Sequence, residues 1–438
     1  MEVEITLRET IKPSSSTPPS KRILKLSLMD QFTPVCYTSL ILFYPASVNQ
    51  DHSVTLTERC QQLKISLSET LTHFYPLAGR LKDNASIECD DQGGEYIEAR
   101  IKCLLSEFLV TPEAELLKQL LPAAIESGEA ATGSMLLVQA NIFDCGGMAI
   151  GVCVSHKIAD AATLTTFVKC WSGSAHKSTE VMSPLFMGAS IFPDMDLTFT
   201  RPSSVELMQG ECATKRFVFD SAKIRMLKAK AASESVAAPT RVEAVSALIW
   251  KCAMAASRSN LGAHRKSVWS LSVNLRKRLA PPLPENYAGS CVGSILAHME
   301  DAEVELRDLV GLIRRGNQEF DENYAKKLQR EGSSKAICGF AKQFEELAMS
   351  TDIDFYNCTS WCKFQLYEAD FGWGKPAWLS IASTSIKNVL LLIDTRDAAG
   401  IEAWLTLSEE DMAFFECNKE LLEFATLNPS VSLSELHL

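Results

Sequence analysis

The sequence predicts an α/β fold in two halves, on three observations. Strand-like and helix-like stretches intermix along the whole chain, with no heptads and no short repeat. At 438 residues the chain is too long for one ordinary core, so two domains are expected. Between residues 173 and 209 periodicity fades while Pro184, Pro193 and Pro202 recur, which marks a crossover. The expected division is a first domain at 1–195, a crossover at 196–213 and a second domain at 214–438.

In the first half, Val3 to Leu7 and Ile23 to Leu28 alternate like strands, separated by a Pro/Ser-rich loop. Ser39 to Tyr44 is a compact apolar strand stopped by Pro45. Leu63, Leu67 and Leu71 give Thr57 to Phe74 a helical period, and Pro76 to Gly79 end it. Two short strands flank the turn at Asp90 to Gly94. Glu113 to Leu121 is a short helix candidate. Met135 to Val154 reads as a strand pair folded at Gly146-Gly147, and Ala159 to Trp171 as a helix.

The second half opens with a strand at Thr214 to Phe219 and a Lys/Arg-rich helix at Ser221 to Ala232. Thr240 to Ser257 is a helix with a capping-box start, Thr240 followed by Glu243. Strands are expected at Val268 to Asn274, Ser290 to Ala297, Thr359 to Tyr367, Ala377 to Ile381, Val389 to Asp394 and Ile401 to Leu407. Long helical regions are expected at Glu303 to Gln329 and Ser408 to Phe424.

Apolar residues make up 46% and charged residues 22%, the composition of a soluble globular protein. A net charge of −11 argues against a nucleic-acid surface. No apolar run approaches 18 residues, so no membrane span is expected. The first residues lack the apolar core of a signal peptide, which leaves the cytoplasm as the expected location. The 14 cysteines include no C-x-x-C, and several sit inside apolar runs, so reduced thiols and no metal site are expected.

Chemistry concentrates where the Met148 to Val154 run meets the following helix. His156 stands at that junction, and Asp160 follows four residues later. Histidine titrates near neutral pH and can take a proton from a hydroxyl or amine. Asp160 either orients that histidine, as in a triad, or pairs with an arginine to shape the loop; spacing alone leaves both open. No G-x-S-x-G, Walker A or G-x-G-x-x-G run occurs. Asp370 to Gly374, D-F-G-W-G, is a turn whose glycines permit positive φ, with Asp370 expected to be buried and pinned by a cation.

On His156 and Asp160, on the full D-F-G-W-G at Asp370, Phe371, Gly372, Trp373 and Gly374, and on the 210 residues between them, the chain resembles the plant BAHD acyl-CoA-dependent acyltransferases. Thr72 to Arg80, Phe143 to Gly147, Asn274 to Arg276 and Thr359 to Trp361 extend the likeness to essentially the whole chain, closest to its alcohol acetyltransferase branch. Gly289-Ser290 departs from a frequent Gly-Asn, and the serine side chain cannot span to the backbone partner that an asparagine reaches.

The resemblance implies a chloramphenicol acetyltransferase-like fold, two similar-sized domains of mixed sheet and helix with a channel between them. It implies His156 as general base, Asp160 turned away to pair with Arg276, and Asp370, Gly372, Trp373 and Gly374 as supports of the fold. Thr359 and Trp361 become candidate oxyanion donors, and Thr240 with Arg241 a candidate site for CoA phosphates. The implied reaction moves a short acyl group, acetyl foremost, from acyl-CoA to the hydroxyl of a specialised metabolite. Acetyl-CoA is then a co-substrate, with no permanently bound cofactor, and a monomer is expected. N-acylation, a benzoyl-type donor and an idle binding homologue are the alternatives. Thr33 to Tyr37, His298 and Phe355 are expected to line the acceptor side.

Overall fold

The computed structural model describes residues 1–46, 55–177, 183–193, 211–301, 303–325, 327–329 and 333–433. The expected crossover at 196–213 lies, up to residue 210, outside the described residues. Two large sheets carry the chain. The first has six strands, in the order β1 (Val3–Ile11), β6 (Gly94–Ile101), β7 (Leu136–Phe143), β8 (Met148–Ser155), β3 (Tyr37–Tyr44) and β13 (Trp378–Ser380). The second has seven, in the order β11 (Val292–Met299), β10 (Lys266–Asn274), β12 (Ile353–Ser360), β14 (Val389–Asp394), β15 (Ile401–Ser408), β9 (Cys212–Phe219) and β16 (Thr426–Leu427). A small third sheet joins β2 (Ile23–Lys25), β5 (Ser86–Glu88) and β4 (Arg80–Asp83). Both large sheets mix parallel and antiparallel pairs.

Each large sheet has its own apolar core, and the two cores exchange segments. The first gathers β3, β7 and β8 with the helices Leu56–His73 and Ala161–Ala175, but also takes Trp361, Phe371, Trp378 and Trp404 from the second half. The second gathers helix Arg241–Leu261 against β10, β14 and β15, and takes Leu28 and Met29 from the first half. Strand β13 completes the exchange by pairing antiparallel with β3. A three-residue strand gains little alone; burial of Trp378 and Leu379 on the first core is what holds it there.

Several boundaries differ from the sequence reading for identifiable reasons. The strand expected at 359–367 runs instead at Ile353–Ser360; Lys363, at φ 71°, turns the chain while its amide donates to Asp394 Oδ2 at 2.7 Å. A second part of Ile23 to Leu28 belongs to a helix, Leu28–Phe32, which Ser27 and Asp30 cap reciprocally. The long helix expected at 303–329 stops at Glu319 and continues as wider and tighter turns. The helix Ser333–Ala348 was not expected. Among the described residues no helix is long and apolar enough to cross a membrane.

Candidate active site

Strand β8 ends at Ser155, and its pairing with β3 fixes the exit: the His156 amide donates to the Cys36 carbonyl at 2.9 Å. His156 is half-buried, and its Nδ1 is enclosed with no hydrogen-bond partner among the described residues. Burial pushes the imidazole below its ordinary pKa; its own backbone and the Asp160 charge oppose that shift without cancelling it. The neutral, proton-accepting form is therefore favoured near neutral pH.

Asp160 does not serve His156. It is the N-cap of helix Ala161–Ala175, accepting from the Thr163 amide at 2.9 Å. Arg276 closes on it with both terminal nitrogens, Nη1 to Oδ2 at 2.7 Å and Nη2 to Oδ1 at 2.9 Å. The Cys291 amide adds a bond to Oδ2 at 3.0 Å. A carboxylate offers about four acceptor positions, and these bonds take all of them. Burial alone would raise this carboxyl, but the Arg276 charge and the hydrogen bonds hold it below its usual value. Arg276 also donates to the carbonyls of Tyr287 and Gly289 and lies over the Tyr287 ring. The pair thus ties the start of one helix in the first half to the 287–291 loop of the second.

That loop contains the Gly289-Ser290 departure. The Ser290 backbone amide donates to Asp30 Oδ1 at 2.6 Å, so the contact there is made by main chain. Asp30 is fully enclosed, and burial pushes its carboxyl up to about 6 despite bonds from Ser27 and Ser290.

Beside the Asp160–Arg276 pair opens a cleft of about 290 Å³, including its solvent-open part. It is lined by Asp160, Ala161 and Ala162 on one side and by Ser272, Asn274, Val292, Thr359, Trp361 and Phe364 on the other. The structure therefore brings Thr359 and Trp361 to the same cleft as Asp160. His156 is not among its lining residues.

Thr240 and Arg241 are engaged elsewhere. Thr240 caps helix Arg241–Leu261 in a closed capping box with Glu243. Arg241 donates to the Ala398 carbonyl at 2.7 Å and to Asp394 Oδ1 at 2.9 Å, clasping the 394–400 loop. Neither residue lines the cleft.

The D-F-G-W-G turn is a plug that the second half sets into the first core. Phe371 is fully buried, edge-on to Trp171 at 4.8 Å and stacked on Trp373 at 5.6 Å. Gln62 donates to the Phe371 carbonyl at 2.9 Å, and Tyr44 to the Ala369 carbonyl at 2.7 Å. Asp370 is half-buried rather than buried, and the cation expected to pin it is replaced by backbone. Its Oδ1 accepts from the Gly372 and Gly374 amides at 2.8 and 3.0 Å, which those residues reach by adopting φ 103° and 101°. Because Phe371 meets Trp171, eleven residues beyond Asp160 on the same helix, the plug sits roughly 16 Å along that helix from the His156 end.

Sequence reading missed one group. On β10, Ser270, Ser272 and Asn274 alternate with Trp269, Leu271 and Val273. The apolar set packs into the second core. By the strand's period of two, the polar set faces the other way, onto the cleft side, beside Asn357 and Thr359 of β12. Farther along the same face, Leu391 and Trp404 join the first core. The alternation was visible in the sequence; that Ser270 on the polar face is fully buried was not.

Residues 1–422 match the Transferase family. The chain is 39% identical to Akuammiline synthase 1 of Alstonia scholaris, over 95% of this chain and 96% of that one. It is 37% identical to epi-neemfruitin B 7-O-acetyltransferase of Melia azedarach, over 98% and 100%. The crystal structure of vinorine synthase superposes with a TM-score of 0.85 at 36% identity, covering 98% of this chain and 100% of that one. TRI101 of F. graminearum, complexed with ethyl coenzyme A, shares the fold with a TM-score of 0.71 at 17% identity, over 92% and 99%. The chain belongs to the BAHD acyltransferase family. It is an enzyme, an acyltransferase of the O-acyl type, among relatives that act on plant specialised metabolites.

Proposed function

We propose that this enzyme transfers an acetyl group from acetyl-CoA to a hydroxyl of an alkaloid- or terpenoid-type alcohol, with His156 as general base. The observation that carries this reading is the imidazole left without a carboxylate: Asp160 is consumed by Arg276, and burial keeps the ring neutral. A neutral imidazole accepts the alcohol proton as the oxygen attacks the thioester carbonyl. The tetrahedral oxyanion then needs a donor, and the Thr359 hydroxyl or Trp361 indole, both at the cleft, supplies it. Collapse breaks the C–S bond, and the imidazolium returns its proton to the leaving thiolate, giving ester and free CoA. Because Nδ1 is enclosed, Nε2 is the nitrogen that handles the proton.

The donor assignment draws on family membership and on the ethyl coenzyme A held by TRI101; the acetyl assignment draws on the O-acetyltransferase relative. Residues 1–195 and 214–438 act as two domains closing on the cleft, with the stretch from Trp361 to Ala382 lent by the second to the first. Arg241 meets a CoA phosphate by trading its bonds to Ala398 and Asp394.

Purified enzyme incubated with acetyl-CoA, with and without a panel of alcohols, tests this. CoA release that requires an alcohol, with ester formed, is expected. Release without alcohol would mark a hydrolase, and no release under any condition an idle homologue.

A further inference from the structure

Two buried polar atoms without partners face each other on neighbouring strands. Ser270 is fully buried and its Oγ has no hydrogen-bond partner among the described residues; the same holds for Asn357 Oδ1. The parallel register of β10 and β12 sets Ser270 directly against Asn357. Both stand on the face that carries Ser272 and Thr359 to the cleft, one side-chain step beyond its lining residues. Neither contributes to the reaction described above.

We propose that Ser270 and Asn357 form a second polar anchor for the acceptor, which therefore carries a further hydroxyl or carbonyl about 7 Å from the hydroxyl that is acylated. This rests on the transferase reading, which it deepens. The spacing is counted from Thr359, the oxyanion donor, back two residues of strand to Asn357 at roughly 3.3 Å each, because the attacking oxygen and the oxyanion share one carbon. An unpaired hydroxyl and an unpaired carbonyl oxygen together offer one donor and two acceptors, the complement of an alcohol or ketone oxygen. Unpaired buried polar atoms oppose folding, and a ligand that satisfies them relieves that cost on binding.

The surroundings fit an acceptor with an apolar body. Beyond the pair on the same face come Val268, Phe355 and His298. Phe355 meets Phe344 edge-on at 5.1 Å, and Phe340 and Tyr324 continue the aromatic row. Toward β14 and β15 this face is apolar, with Leu391 and Trp404 joining the neighbouring core. Polar groups thus occur where the face borders the cleft and stop where it becomes glue between cores. A site built to bond a second oxygen rejects the analogue that lacks it.

The test compares 1,4-benzenedimethanol, whose oxygens lie about that far apart across a rigid ring, with 4-methylbenzyl alcohol, using acetyl-CoA as donor. The wild type is expected to favour the diol in kcat/KM by about tenfold, beyond the factor of two for its equivalent hydroxyls. In Ser270→Ala and Asn357→Leu that ratio should fall toward the factor of two, mainly through KM for the diol, and near-isosteric Ser270→Cys should keep part of it. No preference in the wild type, or a preference that survives both substitutions, overturns the anchor and leaves the transferase reading intact. A loss equal for both alcohols marks a packing role and also overturns it. Ester from neither alcohol in the wild type overturns the anchor as well, and the alcohol panel then decides separately whether the transferase reading falls with it.

Discussion

Asp160 and Asp370 both stand in signature motifs, yet they are held in opposite ways. Asp160 is buried to 2% exposure, carries its charge against Arg276 and fills every acceptor position with partners from three separated stretches of chain. Asp370 is half-buried and serves its own turn, accepting from amides two and four residues on. The first is a long-range strut between the halves. The second shapes a local plug whose energy lies in its aromatic neighbours, Phe371 above all. Similar-looking motif aspartates can thus carry quite different loads.

That contrast can be broken or sharpened by substitution. Arg276→Met leaves a buried carboxylate unpaired, and the expected loss is about 3–5 kcal/mol of unfolding free energy, read from urea denaturation. A loss below about 1 kcal/mol would show that Asp160 does not depend on its partner. Phe371→Ala should cost a similar 3–5 kcal/mol by emptying the plug. Asp370→Asn keeps one carbonyl oxygen for the two amides and should cost only about 1 kcal/mol; a cost equal to that of Arg276→Met would erase the distinction.

Acid sharpens it further. The Asp160 carboxyl is depressed in the folded state, so the stability it contributes is present above its unfolded value near 3.9 and is lost as pH falls through the lower folded value. In Arg276→Met burial acts without that opposing charge, the folded pKa rises, and acid unfolding should begin at a higher pH than in the wild type. Asp30 works in the other direction. Its folded value is raised to about 6, so its contribution is fully present below the unfolded value and lost as pH rises through about 6. Asp30→Asn should therefore flatten the stability profile between pH 4 and 6, followed by thermal melting. A profile that keeps its slope would remove Asp30 as the source.

Much of the fold was legible from residues close together in sequence. The β7–β8 pair, the Thr240–Glu243 capping box and the helix behind Asp160 each carry a local signal. The helix Ser333–Ala348 carried one too, in Ile337, Phe340, Phe344 and Leu347 at helical spacing, and still went unread. What no local pattern revealed is partnership across the chain. A three-residue strand says nothing about crossing to β3, and the Asp370 motif does not announce that backbone amides replace a cation. Spacing left two partners open for Asp160, the resemblance pointed to Arg276, and the structure brings those two side chains together. Ser270 and Asn357 were hidden for the same reason: their alternation is readable, but their side-by-side register comes from pairing between strands far apart in the chain.

The proposed role of His156 as the lone base is addressed directly by one measurement. In His156→Ala, assayed with acetyl-CoA and an accepted alcohol, kcat/KM should fall by about a hundredfold or more while the melting temperature stays within a few degrees. The wild-type acid limb should lie below the ordinary histidine value near 6.5, as burial of the ring requires. Activity surviving within about tenfold, a difference of roughly 1.4 kcal/mol in the barrier, would contradict the assignment of His156 as the base.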